Sequence, residues 1–140
     1  MSPEPAEGPV LLDTSAWLLA LGRSGPAIAR ERVRGLLASG RVCVTPIVCL
    51  ELLGGTRSLE EFRRLRSRLE ALPQFPIGAK EWEEAARLAF ELRRGGKTVP
   101  YADILIATVA IQYQALLVHA DRHYDLMAQS APLAAENLLA

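Results

Sequence analysis

Three short apolar runs, Val10-Leu11-Leu12, Val42-Cys43-Val44 and Leu116-Leu117-Val118, constrain this chain more than any other feature. Each is too short for a helix, carries no alternating polar positions, and reads as a strand buried on both faces. The segments between them are long and patterned as helices. Parallel strands require such crossover connections, and the crossovers are right-handed. The pattern predicts an α/β fold: a three-layer α/β/α sandwich with a central, mainly parallel sheet and a helical hairpin insertion.

The helices between the strands are legible from caps and spacing. Asp13 stops the first strand, and Thr14 or Ser15 is expected to cap a helix beginning near Ala16. A helix over Gly25 to Leu37 leads through Ser39-Gly40 to the second strand. Thr45-Pro46 then opens the next helix, with Thr45 as its cap and Pro46 in its first position, and Gly54-Gly55 closes it. From Leu59 to Leu72, apolar residues recur at Leu59, Phe62, Leu65, Leu69 and Leu72 with arginines opposite, the mark of a helix with one buried face. Pro73 to Ile77 could add a short strand, and Ala79 to Arg94 repeats the amphipathic pattern up to Gly95-Gly96. Tyr101 to Tyr113 is apolar almost throughout, as expected of a helix enclosed on most sides.

With 140 residues, half of them hydrophobic, the chain can bury a core of its own, and one domain over 10–140 is expected. Residues 1–9 hold three prolines and two glutamates and almost nothing apolar, so a disordered tail is expected there. Sixteen basic residues balance sixteen acidic ones, so attraction to nucleic acid would have to come from a local basic face. Cys43 and Cys49 lack the Cys-x-x-Cys spacing and are read as buried free thiols of a cytoplasmic protein. The longest apolar stretch, Ile104 to Ile111 with Thr108 inside it, falls far short of the roughly 20 residues that span a bilayer, so no membrane partner is expected.

Asp13, Glu51 and Asp103 each stand alone among apolar neighbours, where an ionised carboxylate is costly unless paired or bound to a metal. No lysine or arginine lies within a helical turn of Glu51 or Asp103. In parallel α/β sheets ligands gather beyond the carboxyl ends of the strands, which is where Asp13 and Asp121 fall. Asp103 lies in the first turn of its helix, and Glu51 about one and a half turns into its own, within reach of the same crevice. Carboxylates crowded in this way take up protons or bind a cation, and oxygen ligands favour Mg2+ or Mn2+. The chemistry implied is phosphoryl transfer, with a metal-activated water attacking in line.

The motifs Val-Leu-Leu-Asp-Thr-Ser-Ala-Trp at 10–17, Thr-Pro-Ile-Val-Cys-Leu-Glu-Leu at 45–52, Asp-Ile-Leu-Ile-Ala-Thr at 103–108 and His-Ala-Asp-Arg-His-Tyr-Asp at 119–125 resemble, in order and placement, those of PIN-domain nucleases, specifically the VapC-type toxins of bacterial toxin-antitoxin pairs. The likeness runs from about Val10 to Met127. It implies that Asp13, Glu51, Asp103 and Asp121 are the catalytic carboxylates holding Mg2+ or Mn2+, with Ser15 supporting the first. It further implies an endoribonuclease that cuts cellular RNA, a cognate antitoxin partner and a homodimer. One position departs from the family: two residues after the last metal carboxylate, where Asp or Asn is common, this chain has His123. That residue could contact phosphate or move a proton.

Other residues admit two readings. His119 and His123 are four apart, but a strand-end position for His119 argues against a zinc pair. Asp125 is expected to cap or to face solvent. Arg57, Arg63, Arg64, Arg66, Arg68, Arg93, Arg94, Lys97 and Arg122 could flank the crevice and bind phosphates, or form a solvated face with Glu60, Glu61 and Glu70. Trp17, Trp82 and Tyr101 could stack on bases or pack in a core or dimer. A catalytically silent binding module for RNA or protein, and a phosphatase with Asp13 as nucleophile, are the alternative functions.

Overall fold

A computed structural model describes residues 8–22 and 24–140. Residues 1–7 of the expected tail lie outside the described residues, while the Pro9 carbonyl accepts from Leu116 N–H at 3.0 Å, beside the first strand.

The sheet has four strands, β1 (Val10–Leu12), β2 (Val42–Cys43), β3 (Leu116–His119) and β4 (Ala135–Asn137), in the order β2-β1-β3-β4 with every pairing parallel. Val10, Leu11 and Leu12 are all fully buried, as are Leu117 and Val118. Successive strand side chains point to opposite faces, so both faces of the central pair must be covered. Among the described residues seven helices do this: α1 (Thr14–Leu21), α2 (Ala27–Ala38), α3 (Pro46–Gly54), α4 (Leu59–Glu70), α5 (Ala79–Arg94), α6 (Tyr101–Gln112) and α7 (Arg122–Ala128). Helix α6 lies between α5 and α3 and also touches α7 and β3. Ile104 to Ala110 are buried without a break, which accounts for the absence of a polar stripe in this helix.

The structure departs from the sequence-based expectation in several places. β4 is an edge strand of three partly buried residues, Ala-Glu-Asn, with no apolar run to announce it. The Pro73–Ile77 segment contributes only an isolated bridge between Val44 and Gln74. Asp13 itself caps α1, its carboxylate accepting from Ala16 N–H at 2.9 Å, so neither Thr14 nor Ser15 does. Thr45 sits at the cap position of α3, but its hydroxyl donates to the Phe75 carbonyl at 2.8 Å and not to the helix. Cys43 and Cys49 are free thiols, Cys43 buried and Cys49 half-buried. No helix among the described residues is long and apolar enough to cross a membrane.

Candidate metal centre at the carboxyl edge of the sheet

Because β1 and β3 are parallel neighbours, the residues that follow them leave the sheet on the same side. Asp13 follows Leu12 directly, with its N–H donating to the Val118 carbonyl of β3 at 3.1 Å. Asp121 comes two residues after the end of β3 and caps α7, accepting from His123 N–H at 2.9 Å. Asp103 enters from the first turn of α6. Glu51 reaches the same edge from α3, its carboxylate accepting from the Thr14 hydroxyl at 2.6 Å.

Ser15 joins two parts of this edge. Its hydroxyl lies 2.7 Å from both oxygens of Asp13, sharing one proton between them, and accepts from the Ala120 N–H at 2.9 Å. The β3–α7 turn, which carries Asp121, is thereby tied to the carboxylate at the end of β1. On the other side, the Asp103 Oδ2 lies 2.9 Å from His123 Nδ1, and the same nitrogen is 3.1 Å from Asp121 Oδ1. The other oxygen of Asp103 is 3.4 Å from the hydroxyl of Tyr124.

Burial pushes Asp13 up to about 6, working against the hydrogen bonds from Ser15 and Ala16, and the charge on Asp103 adds to the rise. Asp103 is also raised, first by burial and then by Asp121 and Glu51, with His123 opposing. Tyr124, fully buried, is held far above the ordinary phenol range by burial and by the negative charges of Asp13, Asp103 and Asp121. It stays a neutral donor. The mutual effects show that the four acidic residues share one field, although they differ in surroundings: Asp13 is buried, Asp103 and Asp121 are half-buried, and Glu51 is exposed. Glu51 therefore does not pay the desolvation cost that its apolar sequence neighbours suggested; those neighbours lie on other sides of α3.

Among the described residues, no lysine or arginine forms a salt bridge with any of these carboxylates. Oxygen donors of one sign, with Asp13 and Asp103 raised in pKa by burial and by neighbouring carboxylates and no lysine or arginine paired to them, fit a hard divalent cation. Asp103, Asp121 and His123 present ligand atoms that all lie within 4.8 Å of one another.

His119 takes no part in such a cluster. Its Nδ1 accepts from Asp121 N–H at 3.2 Å, and its Nε2, fully buried, lies 3.6 Å from an oxygen of Asp125. The two histidines thus turn to different partners and form no zinc pair. Asp125 is exposed in the first turn of α7 and accepts from the Asn137 side chain at 2.7 Å, linking that helix to β4. Trp17 belongs to the core, whereas Trp82 and Tyr101 are exposed. Two polar residues at the centre, Thr14 and Tyr124, escaped the sequence-based reading. Both lie inside the motifs, and Tyr124 is placed three residues after Asp121, where the first turn of a helix brings a side chain back toward its cap.

The fold and the centre first define a class: parallel α/β proteins with an acidic centre beyond the carboxyl ends of the strands. Residues 10–129 match the PIN domain family, and the chain belongs to that family. It is 32% identical to ribonuclease VapC11 of Mycobacterium tuberculosis over 90% of this chain and 96% of that protein. With ribonuclease VapC18 of the same organism it shares 30% identity over 84% of this chain and 85% of the relative. The structure of VapBC2 from Rickettsia felis, bound to a DNA fragment from their promoter, matches with a TM-score of 0.74 at 24% identity, covering 91% of this chain and 97% of the matched chain. That likeness bears on the fold.

Proposed function

We propose that this protein is a Mg2+- or Mn2+-dependent endoribonuclease, the toxin of a toxin-antitoxin pair, with residues 10–140 acting as one domain. The observation that carries the proposal is the convergence of Asp13, Glu51, Asp103 and Asp121, from two helices and two strand ends, on one edge of the sheet. The relatives named as ribonucleases support the substrate class, and the VapBC complex supports a cognate antitoxin as partner. A homodimer and a cytoplasmic setting accompany this reading.

Asp13, Asp103, Asp121 and Glu51 would hold the ion. When bound, a divalent cation acidifies water for in-line attack on phosphorus and neutralises charge on the phosphate. The chain's own residues supply position. Ser15 fixes the plane of the Asp13 carboxylate, Thr14 restrains Glu51, and Tyr124 holds one oxygen of Asp103 while the other lies against His123. An open groove of about 410 Å³ lined by Thr98, Arg122, His123 and Gln129 borders the centre and offers Arg122 to an RNA phosphate. Incubation of the purified protein with structured RNA tests the proposal: new RNA ends that appear with Mg2+ or Mn2+ and vanish with chelator are expected. Retention of RNA with no new ends would make the chain a silent binding module instead.

A further inference from the structure

The residue that departs from the acidic pattern, His123, is also the one that the fold carries into the centre. Its Nδ1 lies 2.9 Å from Asp103 Oδ2 and 3.1 Å from Asp121 Oδ1. With the proton on Nδ1 the shorter contact is a hydrogen bond to Asp103; with Nδ1 unprotonated, both separations also suit neighbouring donors of one ion, since bonds of about 2.1 Å at right angles set donor atoms about 3.0 Å apart. All three ligand atoms lie within 4.8 Å of one another, close enough to reach a single ion. None of the three residues is free to drift: Asp121 is fixed as the cap of α7, His123 follows it in the first turn, and Asp103 is restrained through Tyr124. In the tautomer that carries its proton on Nε2, the imidazole turns the Nδ1 lone pair toward both carboxylates.

We propose that His123 is a metal ligand of this chain, through Nδ1, together with Asp103 and Asp121, and that this nitrogen makes the centre prefer Mn2+ over Mg2+. The inference rests on the metal-centre reading given above. An imidazole nitrogen is a borderline donor that suits transition metals, while Mg2+ is served by carboxylate and water oxygens. A carboxylate or amide at the same position would supply oxygen and give no such preference. With His123 the centre becomes a two-oxygen, one-nitrogen face completed from the side of Asp13 and Glu51.

Electron spin-echo spectroscopy of Mn2+ added to the full-length protein reads the ligand directly, without reference to activity. Nitrogen-14 modulation is expected for wild type and is expected to disappear in His123→Asp. The chain has two histidines, and the other, His119, is buried with Nε2 toward Asp125, so the assignment is simple. Parallel calorimetry should show the ratio of Mn2+ to Mg2+ affinity falling about tenfold or more in His123→Asp, the size expected when a supporting group of a metal site is lost. Bound Mn2+ without nitrogen modulation, or modulation that survives in His123→Asp, overturns the assignment while leaving the acidic centre standing. Failure of wild type to bind Mn2+ at all overturns the metal-centre reading itself, and this inference with it.

Discussion

The hydroxyl of Ser15 stands 2.7 Å from both oxygens of Asp13 while accepting the backbone N–H of Ala120 at 2.9 Å. One small side chain thus locks a buried carboxylate to the turn that bears Asp121. Ser15→Ala removes the donor and the link together. Apparent metal affinity is expected to weaken by about 10- to 100-fold, as for other groups that orient metal ligands, with little change in the folded circular dichroism spectrum. Unchanged affinity by titration calorimetry would show that the serine only fills space.

Asp13 carries a pKa near 6 against an ordinary 3.8, because the fold disfavours its charged form. The sign follows from linkage. The folded state holds the proton more tightly than the unfolded chain, so this group contributes no penalty below pH 4 and a growing one as pH rises from about 4 to about 6. The full penalty is on the order of 3 kcal/mol, from 1.36 kcal/mol per pKa unit. Asp13→Asn is therefore expected to abolish cleavage and, without metal, to raise the melting temperature relative to wild type above pH 6, with the difference fading toward pH 4. Melting curves of the two metal-free proteins across that range give the answer, and a less stable variant at pH 7 would contradict it.

Metal binding should follow the same proton. An ion must displace it from Asp13 at pH values below about 6, so affinity is expected to fall there by up to about tenfold per pH unit. Above pH 7 it should level off. Calorimetry in buffers of differing ionisation enthalpy would detect the released proton.

Tyr124 is fully buried and has its hydroxyl 3.4 Å from Asp103. Tyr124→Phe keeps the packing, so stability should change by about 1 kcal/mol or less. Cleavage should drop roughly 10-fold because Asp103 loses its restraint. Tyr124→Ala, by contrast, empties part of the core and is expected to cost about 3 to 5 kcal/mol. Denaturant titration beside a cleavage assay separates the two effects.

Arg32 grips Glu136 through two bonds of 2.9 Å, tying α2 to the edge strand β4. The pair is 44% and 34% exposed, so solvent screening limits its worth despite good geometry. Arg32→Ala is expected to lower stability by no more than about 1 kcal/mol, less at high salt.

What the sequence made legible follows what was buried. β1, β2 and β3 announce themselves because both of their faces need apolar side chains, and α6 does so because it is enclosed. β4 gave no such signal: an edge strand paired on one side only can be built from Ala-Glu-Asn by backbone hydrogen bonds and one arginine clamp. At the centre, the expected acidic residues do share one edge, because the parallel pairing of β1 with β3 fixes where Asp13 and Asp121 emerge. The cap of α1 falls one or two residues before the Thr14 or Ser15 expected, while Thr45 does take the cap position of α3, since Asp, Thr and Ser all suit such a position and only the fold decides which one turns inward. Tyr124 was hidden for a different reason: an aromatic ring on a short helix ordinarily signals core packing, and nothing local reveals that its hydroxyl ends among carboxylates.

The parallel order of the strands also governs when the centre can come into being during synthesis. β1 lies between β2 and β3, so the first aspartate emerges early, yet its partner on β3 is made more than a hundred positions later. A nascent chain that has not delivered the α6–β3–α7 segment holds Asp13 and Ser15 with nothing to meet them. Only after the segment through Asp121 has left the ribosome can all four carboxylates face one another.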